Sequence, residues 1–361
     1  MSMDTLLLGT RKGLLVLEPK GRDWHVVSES YLGFPVSYAA TDARTGTLWT
    51  CVEHGHWGSK LYRSHDMGRS WDDIPAPQYP EGAEIKPGQP ATLSYLWTVA
   101  PGPGDQPNRV YVGTEPGGLF QSDDGGDSFR LVDGLWNHPS RQEGWFGGGR
   151  DQPGLCSIII DPRDSRRMLV GVSVGGVYES IDGGQSWEPR NKGLYASYLP
   201  DPHAEVGHDP HLMVVSPANP DVFWQQNHCG VFRSTDGAKS WQDVSQPAGP
   251  VRFGFPIVVD EHDPETAWVV PAIADDQRRA VEAALCVCRT EDGGQSWTTL
   301  REGLPQQNSY DLVYRHALDI KGDRLVFGTT TGNVYVSDNR GDSWQAVGHH
   351  FPPVYSARFG A

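Results

Sequence analysis

Short apolar segments alternate with turns rich in glycine and proline along nearly the whole chain. In one unit, apolar runs at 156–160 and 168–172 are followed by a Gly-rich turn and a third run at 176–180. Runs of this length bounded by Gly and Pro predict β-strands, whereas helical spacing is evident only in residues 275–285. A fourth strand follows each series. The pattern predicts an all-β chain of repeated four-stranded antiparallel sheets, which is the blade of a β-propeller.

An eight-residue phrase marks the end of the third strand in six of these units. It begins with Ser or Thr, has Asp at the third position except for Asn339, and closes on Trp or on Phe129. The copies occupy 64–71, 122–129, 180–187, 234–241, 290–297 and 337–344. Asp and Ser side chains can hydrogen-bond to backbone N–H groups in a tight turn, and Gly supplies positive φ. Each copy therefore predicts a turn between the third and fourth strands, anchored by a buried ring.

This phrase resembles the Asp-box, or BNR repeat, of sialidases, xyloglucanases, sortilin-type receptors and photosystem II assembly factors. In those families the boxes lie on the face away from the active site. The resemblance therefore implies a structural role for the box residues and a functional role for the opposite face.

The repeats predict seven blades in one domain, 1–361. A seventh unit precedes the first phrase, where residues 6–14 match the second strand of later units and a degenerate phrase ends at Trp24. This first unit lacks an innermost strand, which residues 353–359 at the end of the chain could supply. Closing the ring in this way removes exposed sheet edges. Residues 275–285 predict a short helical insertion in blade six.

Composition narrows the functional classes. The formal net charge of −15 argues against a nucleic-acid partner or an anionic membrane surface. The five cysteines are scattered and odd in number, which disfavours a disulfide framework. The N-terminal residues lack the basic and long apolar segments of a signal peptide, and no stretch is long enough to span a membrane. These features predict a cytoplasmic protein.

Candidate chemistry is concentrated on the face opposite the phrases, where the connections at 74–91, 132–154 and 191–210 are long. Aligned turns there predict equivalent positions for Arg11, Glu53, Glu115 and Asn227, with His54 and His228 one residue further along. Because His with a carboxylate forms an acid–base pair, we expect four catalytic candidates: Glu53, His54, Glu115 and His316. Expected substrate-binding residues are Arg11, Arg150, Tyr95, Trp97 and Asn227.

Three histidines are expected at one corner of the pocket: His208, His211 and His228. Imidazole binds divalent metals, so these residues are candidates for holding a metal ion or a substrate. Other arginines expected on the pocket side are Arg252, Arg315 and Arg358.

Two functional classes follow from these observations. The first is a hydrolase or lyase acting on a small polar or carbohydrate-like substrate at a His- and Glu-lined pocket, with a divalent metal as candidate cofactor. The second is a non-catalytic scaffold that binds a protein partner or ligand, as the photosystem assembly factors do. The resemblance selects neither, because sialidases have six blades and xyloglucanases use a cleft between two seven-bladed rings. Convergence of the His and Glu side chains would favour the enzyme.

Overall fold

The computed structural model describes residues 5–21, 23–148 and 150–360. In chain order, blade one contains β1 (Leu6–Thr10), β2 (Gly13–Lys20) and β3 (Asp23–Ser30). Blade two contains β4 (Val36–Asp42), β5 (Thr47–Glu53), β6 (Ser59–Ser64) and β7 (Asp72–Ile74). A separate hairpin, β8 (Glu84–Lys86) and β9 (Gln89–Pro90), precedes blade three, which contains β10 (Tyr95–Pro101), β11 (Val110–Glu115), β12 (Leu119–Ser122) and β13 (Arg130–Leu131).

The remaining blades repeat the same arrangement. Blade four contains β14 (Gly154–Ile160), β15 (Met168–Ser173), β16 (Gly176–Ser180) and β17 (Glu188–Pro189). Blade five contains β18 (Pro210–Val215), β19 (Phe223–Asn227), β20 (Gly230–Ser234) and β21 (Gln242–Asp243). Blade six contains β22 (Phe253–Val259), β23 (Ala267–Ala272), β24 (Val287–Thr290) and β25 (Thr298–Leu300). Blade seven contains β26 (Leu318–Lys321), β27 (Arg324–Gly328), β28 (Val334–Ser337) and β29 (Gln345–Gly348), followed by β30 (Val354–Phe359).

The final strand closes the ring, as the sequence predicted. β30 pairs antiparallel with β1, so that blade one has the order β3-β2-β1-β30. The first strands of successive blades contact one another, and β30 contacts both β26 and β4. The predicted seven-bladed propeller is therefore confirmed, with four antiparallel strands in every blade.

Apolar side chains from neighbouring blades pack face to face and form the core. Between blades two and three, Trp49 and Cys51 pack with Val112 and Phe120 in one buried cluster. Equivalent clusters join the other blades, for example around Trp224 and Trp297 between blades five and six. This packing fixes the blades around a common axis, so that loops at one end of the ring converge.

The repeated phrases form turns between the third and fourth strands of their blades, as expected. In blade four, Ser180 Oγ accepts from the Gly184 N–H at 2.8 Å and donates to Asp182 Oδ1 at 2.8 Å. Asp182 also accepts from the Ser186 N–H and hydroxyl, at 2.9 and 2.6 Å. The closing Trp187 is buried. Each turn thus satisfies its own polar groups and inserts a ring between blades.

Helix is found at a different place from the one predicted. Residues 275–285 form only one 3-10 turn, Val281–Ala283, in which Glu282 has a φ of 57°. Tertiary contacts override helix propensity here, since Ala283 and Leu285 hydrogen-bond to the following connection and Ala280 is buried. Two short α-helices, α1 (Asp133–Trp136) and α2 (Pro139–Gly144), lie instead between blades three and four. Among the described residues, no helix has the length and apolar character needed to cross a membrane.

Candidate functional site

A cavity of about 540 Å³ opens on the face opposite the repeated turns. All seven blades or their connections contribute to its wall. Its charged and histidine side chains are Glu53, Arg150, Asp209, His211, His228, Asp275, Arg278, Arg315 and His316. Its aromatic side chains are Tyr95, Trp97, Phe146, Tyr198, Phe255, Tyr314 and Tyr355. This mixture of aromatic surface and convergent polar groups is typical of a small-molecule site.

A β-bulge in the innermost strand directs residues into this cavity. In blade three, Leu96 pairs with Thr114 and Thr98 with Gly113, which leaves Trp97 as the extra residue. The same shift isolates Ser37 in blade two, His211 in blade five and Tyr355 in β30. All four of these residues line the cavity. Because a bulge re-aims a side chain out of the regular alternation, the repeated bulge builds a ring of side chains around the axis.

Blade five brings one carboxylate and two imidazoles together. Asp209 Oδ2 lies 3.3 Å from His211 Nε2 and 3.5 Å from His228 Nδ1. The other carboxylate oxygen accepts from the Ser173 hydroxyl at 2.7 Å and from the Val174 N–H at 3.2 Å. His211 Nδ1 lies 2.6 Å from the Gly254 carbonyl oxygen. Hydrogen bonds to the neighbouring blades four and six therefore hold the cluster in place.

Electrostatics keep Asp209 ionised. Burial alone would raise the pKa of Asp209, but His211, His228 and Arg315 outweigh it and hold that pKa well below the ordinary value. Burial lowers the pKa of His211, with Asp209 opposing the shift and Arg315 adding to it. The carboxylate thus carries the negative charge of this cluster at neutral pH.

A second polar group lies on blades two and three. The Arg150 guanidinium forms an ion pair with Glu115 and stacks over the Tyr95 ring at 4.0 Å. Glu53 lines the cavity beside them, and its Oε1 is buried without a hydrogen-bond partner among the described residues. Burial raises the pKa of Glu53, Arg150 offsets part of that rise, and Glu115 adds to it. Glu53 therefore retains its proton to a higher pH than an exposed glutamate does.

Blade seven supplies an arginine that forms no ion pair with a carboxylate of the described residues. The Arg315 guanidinium lies 4.7 Å from the Trp97 ring and 5.2 Å from the Phe255 ring. It donates a 3.4 Å hydrogen bond to Ser173 Oγ, and its Nε is buried without a hydrogen-bond partner in the part of the chain that the structure describes. The adjacent His316 is buried, and its pKa is held well below the ordinary value by burial and by the charges of Arg358 and Arg315. His316 is therefore a neutral imidazole.

Seven of the predicted site residues line the cavity: Glu53, Tyr95, Trp97, Arg150, His211, His228 and His316. Glu115 lies beneath the wall and contacts the cavity through Arg150. The other four predicted residues do not line it. His54 stacks on Phe34 at 4.1 Å, and Arg11 is exposed with its N–H bonded to the Pro353 carbonyl. Asn227 is buried and donates to Gln225 Oε1 at 3.1 Å.

His208 does not join the other two histidines of its predicted group. Its Nε2 lies 2.7 Å from the Ala204 carbonyl oxygen, and the side chain is fully buried beside that loop. Asp209 occupies the expected place instead. Strand alternation provided no signal for this exchange, because His211 is the bulged residue of β18 and Asp209 precedes that strand.

Several cavity residues were not among the predicted site residues. They are Ser37, Phe146, Ser173, Tyr198, Asp209, Phe255, Asp275, Arg278, Tyr314 and Tyr355. Of the additional arginines expected on this face, Arg315 lines the cavity, whereas Arg252 and Arg358 do not. Arg278 lies within the segment predicted as a helical insertion and pairs with Asp275 at the rim. Most of the others depend on bulges or irregular connections, which leave no periodic signal.

Comparisons with known proteins identify distant relatives. No protein-family model matches the chain. The oligoxyloglucan-reducing end-specific xyloglucanase of Emericella nidulans is 24% identical over 336 residues, which cover 84% of this chain and 38% of that protein. The chain thus spans less than half the length of this curated relative.

Solved structures support the fold. The crystal structure of an ancestral GH74 enzyme matches with a TM-score of 0.59 at 17% identity, over 86% of this chain and 38% of that one. The structure of YCF48 bound to D1 peptide matches with a TM-score of 0.55 at 14% identity, over 93% of this chain and 89% of that one. The chain is a seven-bladed propeller that resembles both proteins.

Proposed function

We propose that the axial cavity binds a carbohydrate-like substrate and that the protein hydrolyses a glycosidic bond there. One observation carries this proposal. The charged groups of Glu53, Asp209, Arg150 and Arg315 converge on one cavity of about 540 Å³, together with the rings of Tyr95, Trp97 and Phe255. A concave pocket that combines apolar rings with a few convergent polar groups favours a small polar ligand.

The chemistry of these groups favours a polyhydroxylated ligand. The guanidinium groups of Arg150 and Arg315 offer donors, whereas Glu53 offers an acceptor in its ionised form and a donor in its protonated form. Sugar hydroxyls both donate and accept hydrogen bonds. The rings of Trp97, Phe255 and Tyr355 supply apolar surface beside these groups. The distant similarity to a xyloglucanase, whose name specifies oligoxyloglucan, supports a saccharide over other polar ligands.

Two carboxyl groups with opposite pKa shifts can divide the acid and base roles. Glu53 and Asp209 belong to blades two and five, nearly opposite each other around the ring. The pKa of Glu53 is raised and that of Asp209 is lowered, a combination that fits a general acid facing an ionised group.

In the proposed step, protonated Glu53 donates its proton to the leaving glycosidic oxygen as the bond from that oxygen to the sugar carbon breaks. A water oxygen forms the new bond to this carbon, and the Asp209–His211 pair accepts the proton that the water loses. Exchange with solvent returns both groups to their starting protonation states. With the water attacking from the blade-five side, the expected outcome is inversion at the sugar carbon.

Release of reducing ends from a panel of oligosaccharides, including xyloglucan oligomers, tests the proposal. Glu53→Gln should lower kcat at least about 100-fold, since it cannot donate the proton. Activity of the unaltered protein should fall as pH rises through the raised pKa of Glu53, because deprotonation removes the acid. Glu188→Gln makes the same change on the exposed outer strand of blade four and should leave kcat unchanged. Equal activity of Glu53→Gln and Glu188→Gln would refute the assignment.

A peptide-binding scaffold is a second candidate. The YCF48 structure bound to D1 peptide matches nearly the whole of both chains, unlike the much longer xyloglucanase. This function predicts that an extended peptide binds in the cavity and that no oligosaccharide is cleaved. Peptide-library capture in parallel with the saccharide panel distinguishes the two functions.

A further inference from the structure

We infer that Asp209, His211 and His228 form a binding site for one divalent transition-metal cation of the Zn²⁺ type. The inference rests on the proposed function and changes one part of it: a metal held by these residues, instead of the free Asp209–His211 pair, would activate the attacking water. The three side chains each offer a ligand atom, and these atoms lie within 4.8 Å of one another. Two imidazoles and one carboxylate are a ligand set found in catalytic metal sites.

The hydrogen bonds of His211 favour a cation between its Nε2 and Asp209 Oδ2. Nδ1 lies 2.6 Å from the Gly254 carbonyl oxygen, and a carbonyl only accepts, so Nδ1 carries the hydrogen. In the neutral imidazole this leaves a lone pair on Nε2, which faces Asp209 Oδ2 at 3.3 Å. Two acceptors that face each other repel unless a proton or a metal ion lies between them. Metal-ligating histidines commonly donate their second N–H to a backbone carbonyl in this way.

The spacing of the ligand atoms favours the metal. Zn²⁺ bonds of roughly 2.0–2.2 Å at tetrahedral angles place neighbouring ligand atoms roughly 3.3–3.6 Å apart. Asp209 Oδ2 lies 3.3 Å from His211 Nε2 and 3.5 Å from His228 Nδ1. Both of these distances fit the geometry without movement of the carboxylate, whereas the spacing of the two imidazoles is bounded only by the 4.8 Å spread of the three ligand atoms.

Surrounding contacts hold the ligands in place. Asp209 Oδ1 accepts from Ser173 and Val174, which leaves Oδ2 as the oxygen turned toward the imidazoles. His211 stacks on the Phe255 ring at 4.5 Å, and His228 packs edge-to-face on Tyr198 at 5.2 Å. Fixed ligand orientation of this kind lowers the cost of assembling a metal site.

Three protein ligands leave a fourth position for water. All three residues line the cavity, and the His228 side chain is 26% exposed to it. A Zn²⁺-bound water has a pKa near about 7, far below that of bulk water. A metal here would therefore deliver hydroxide to the cavity from the blade-five side, opposite Glu53.

Metal content after equilibrium dialysis tests the inference. Protein stripped with a chelator is dialysed against Zn²⁺, Mn²⁺ or Mg²⁺, and bound metal is measured by mass spectrometry. We expect about one equivalent of Zn²⁺ and weaker retention of Mg²⁺, which prefers oxygen ligands. His228→Gln, at the most exposed ligand, should lower Zn²⁺ affinity at least about tenfold, as should Asp209→Asn.

His65→Ala, at an exposed histidine in a repeated turn, is the control and should retain full binding. Circular dichroism of each variant verifies folding, and because His228 is partly exposed, its variant is expected to fold. No Zn²⁺ binding by the unaltered protein, or full binding by folded His228→Gln, would overturn the inference.

The metal site and the proposed function can fail separately. Glu53-dependent cleavage by a chelator-treated, metal-free protein would remove the metal from water activation and leave the hydrolase intact. Stoichiometric Zn²⁺ without cleavage of any saccharide would retain the site and remove the hydrolase.

Discussion

Replacing Arg315 with methionine should weaken ligand binding with little effect on the stability of the fold. Arg315 has cation–π contacts with Trp97 and Phe255, worth about 0.5–1 kcal/mol each. Against these contacts stands its buried Nε, which has no hydrogen-bond partner in the described part of the chain and costs about 1–3 kcal/mol. Methionine fills a similar volume and removes both contributions. The expected change in the free energy of unfolding therefore lies between about 1 kcal/mol of destabilisation and about 2 kcal/mol of stabilisation.

Ligand affinity should respond in the opposite direction. A hydrogen bond from a charged guanidinium contributes about 1.5–3 kcal/mol, so its loss should weaken saccharide binding roughly 10- to 150-fold. Guanidinium chloride unfolding measures the stability, and isothermal titration calorimetry measures the affinity. Arg130→Met, at an exposed arginine on the outer strand of blade three, should change neither quantity appreciably.

Arg358 provides a contrast within the same ring. Its guanidinium pairs with Asp319 at 3.2 Å, and burial raises the pKa of that aspartate. Removing Arg358 leaves a largely buried carboxylate without its cation, so Arg358→Met should destabilise the protein by about 3 kcal/mol. If Arg315→Met proved as destabilising as Arg358→Met, Arg315 would stabilise the fold, and the proposal that it serves ligand binding would be refuted.

Three further predictions concern the scaffold. Asp182→Ala should lower the free energy of unfolding by about 1–2 kcal/mol, as the loss of a helix cap does. Asp182→Asn should lower it less, because Asn339 occupies the same position in blade seven and accepts the same backbone hydrogen bond. Thermal unfolding of the two variants measures the difference. Hydrogen bonds from Ser186 lower the pKa of Asp182 to about 2. The contribution of Asp182 to the free energy of unfolding is therefore complete above its unfolded-state pKa of about 4 and is lost as the pH falls toward about 2. Unfolding measured across this pH range should show that loss, and Asp182→Asn should show a smaller one. A chain truncated after residue 353 lacks β30 and exposes the edge of β1. Because an exposed strand edge pairs with other chains, size-exclusion chromatography should show aggregates. A monomer of unchanged stability would contradict ring closure by β30.

The repeated fold could be predicted from sequence because each blade carries its own local signal. The phrase ending in Trp187 contains the Ser, Asp and Gly that make its turn, so spacing alone located the third and fourth strands. Strand closure also followed, since blade one lacked a partner and residues 353–359 were unassigned. Local hydrogen bonding in the turns and short apolar runs bounded by Gly and Pro determine these features, and both are visible in one sequence.

The site was predicted only in part because its geometry depends on irregular backbone. The bulge that turns Trp97 toward the axis adds one residue to the strand without changing its composition. Alignment of the second-strand turns selected Glu53, which lines the cavity, but also His54 and Asn227, whose side chains contact other parts of the protein. Arg315 precedes β26, in a segment outside regular strand pairing. Its exposure to the cavity follows from tertiary packing, which no local pattern encodes.

A crystal structure of the Glu53→Gln variant with a bound oligosaccharide would show where the substrate lies. We expect a sugar ring in the axial cavity, with its oxygen atoms within hydrogen-bond distance of residue 53 and Arg315. A saccharide bound on the outer blade surfaces, with none of its atoms in the axial cavity, would refute the proposed site.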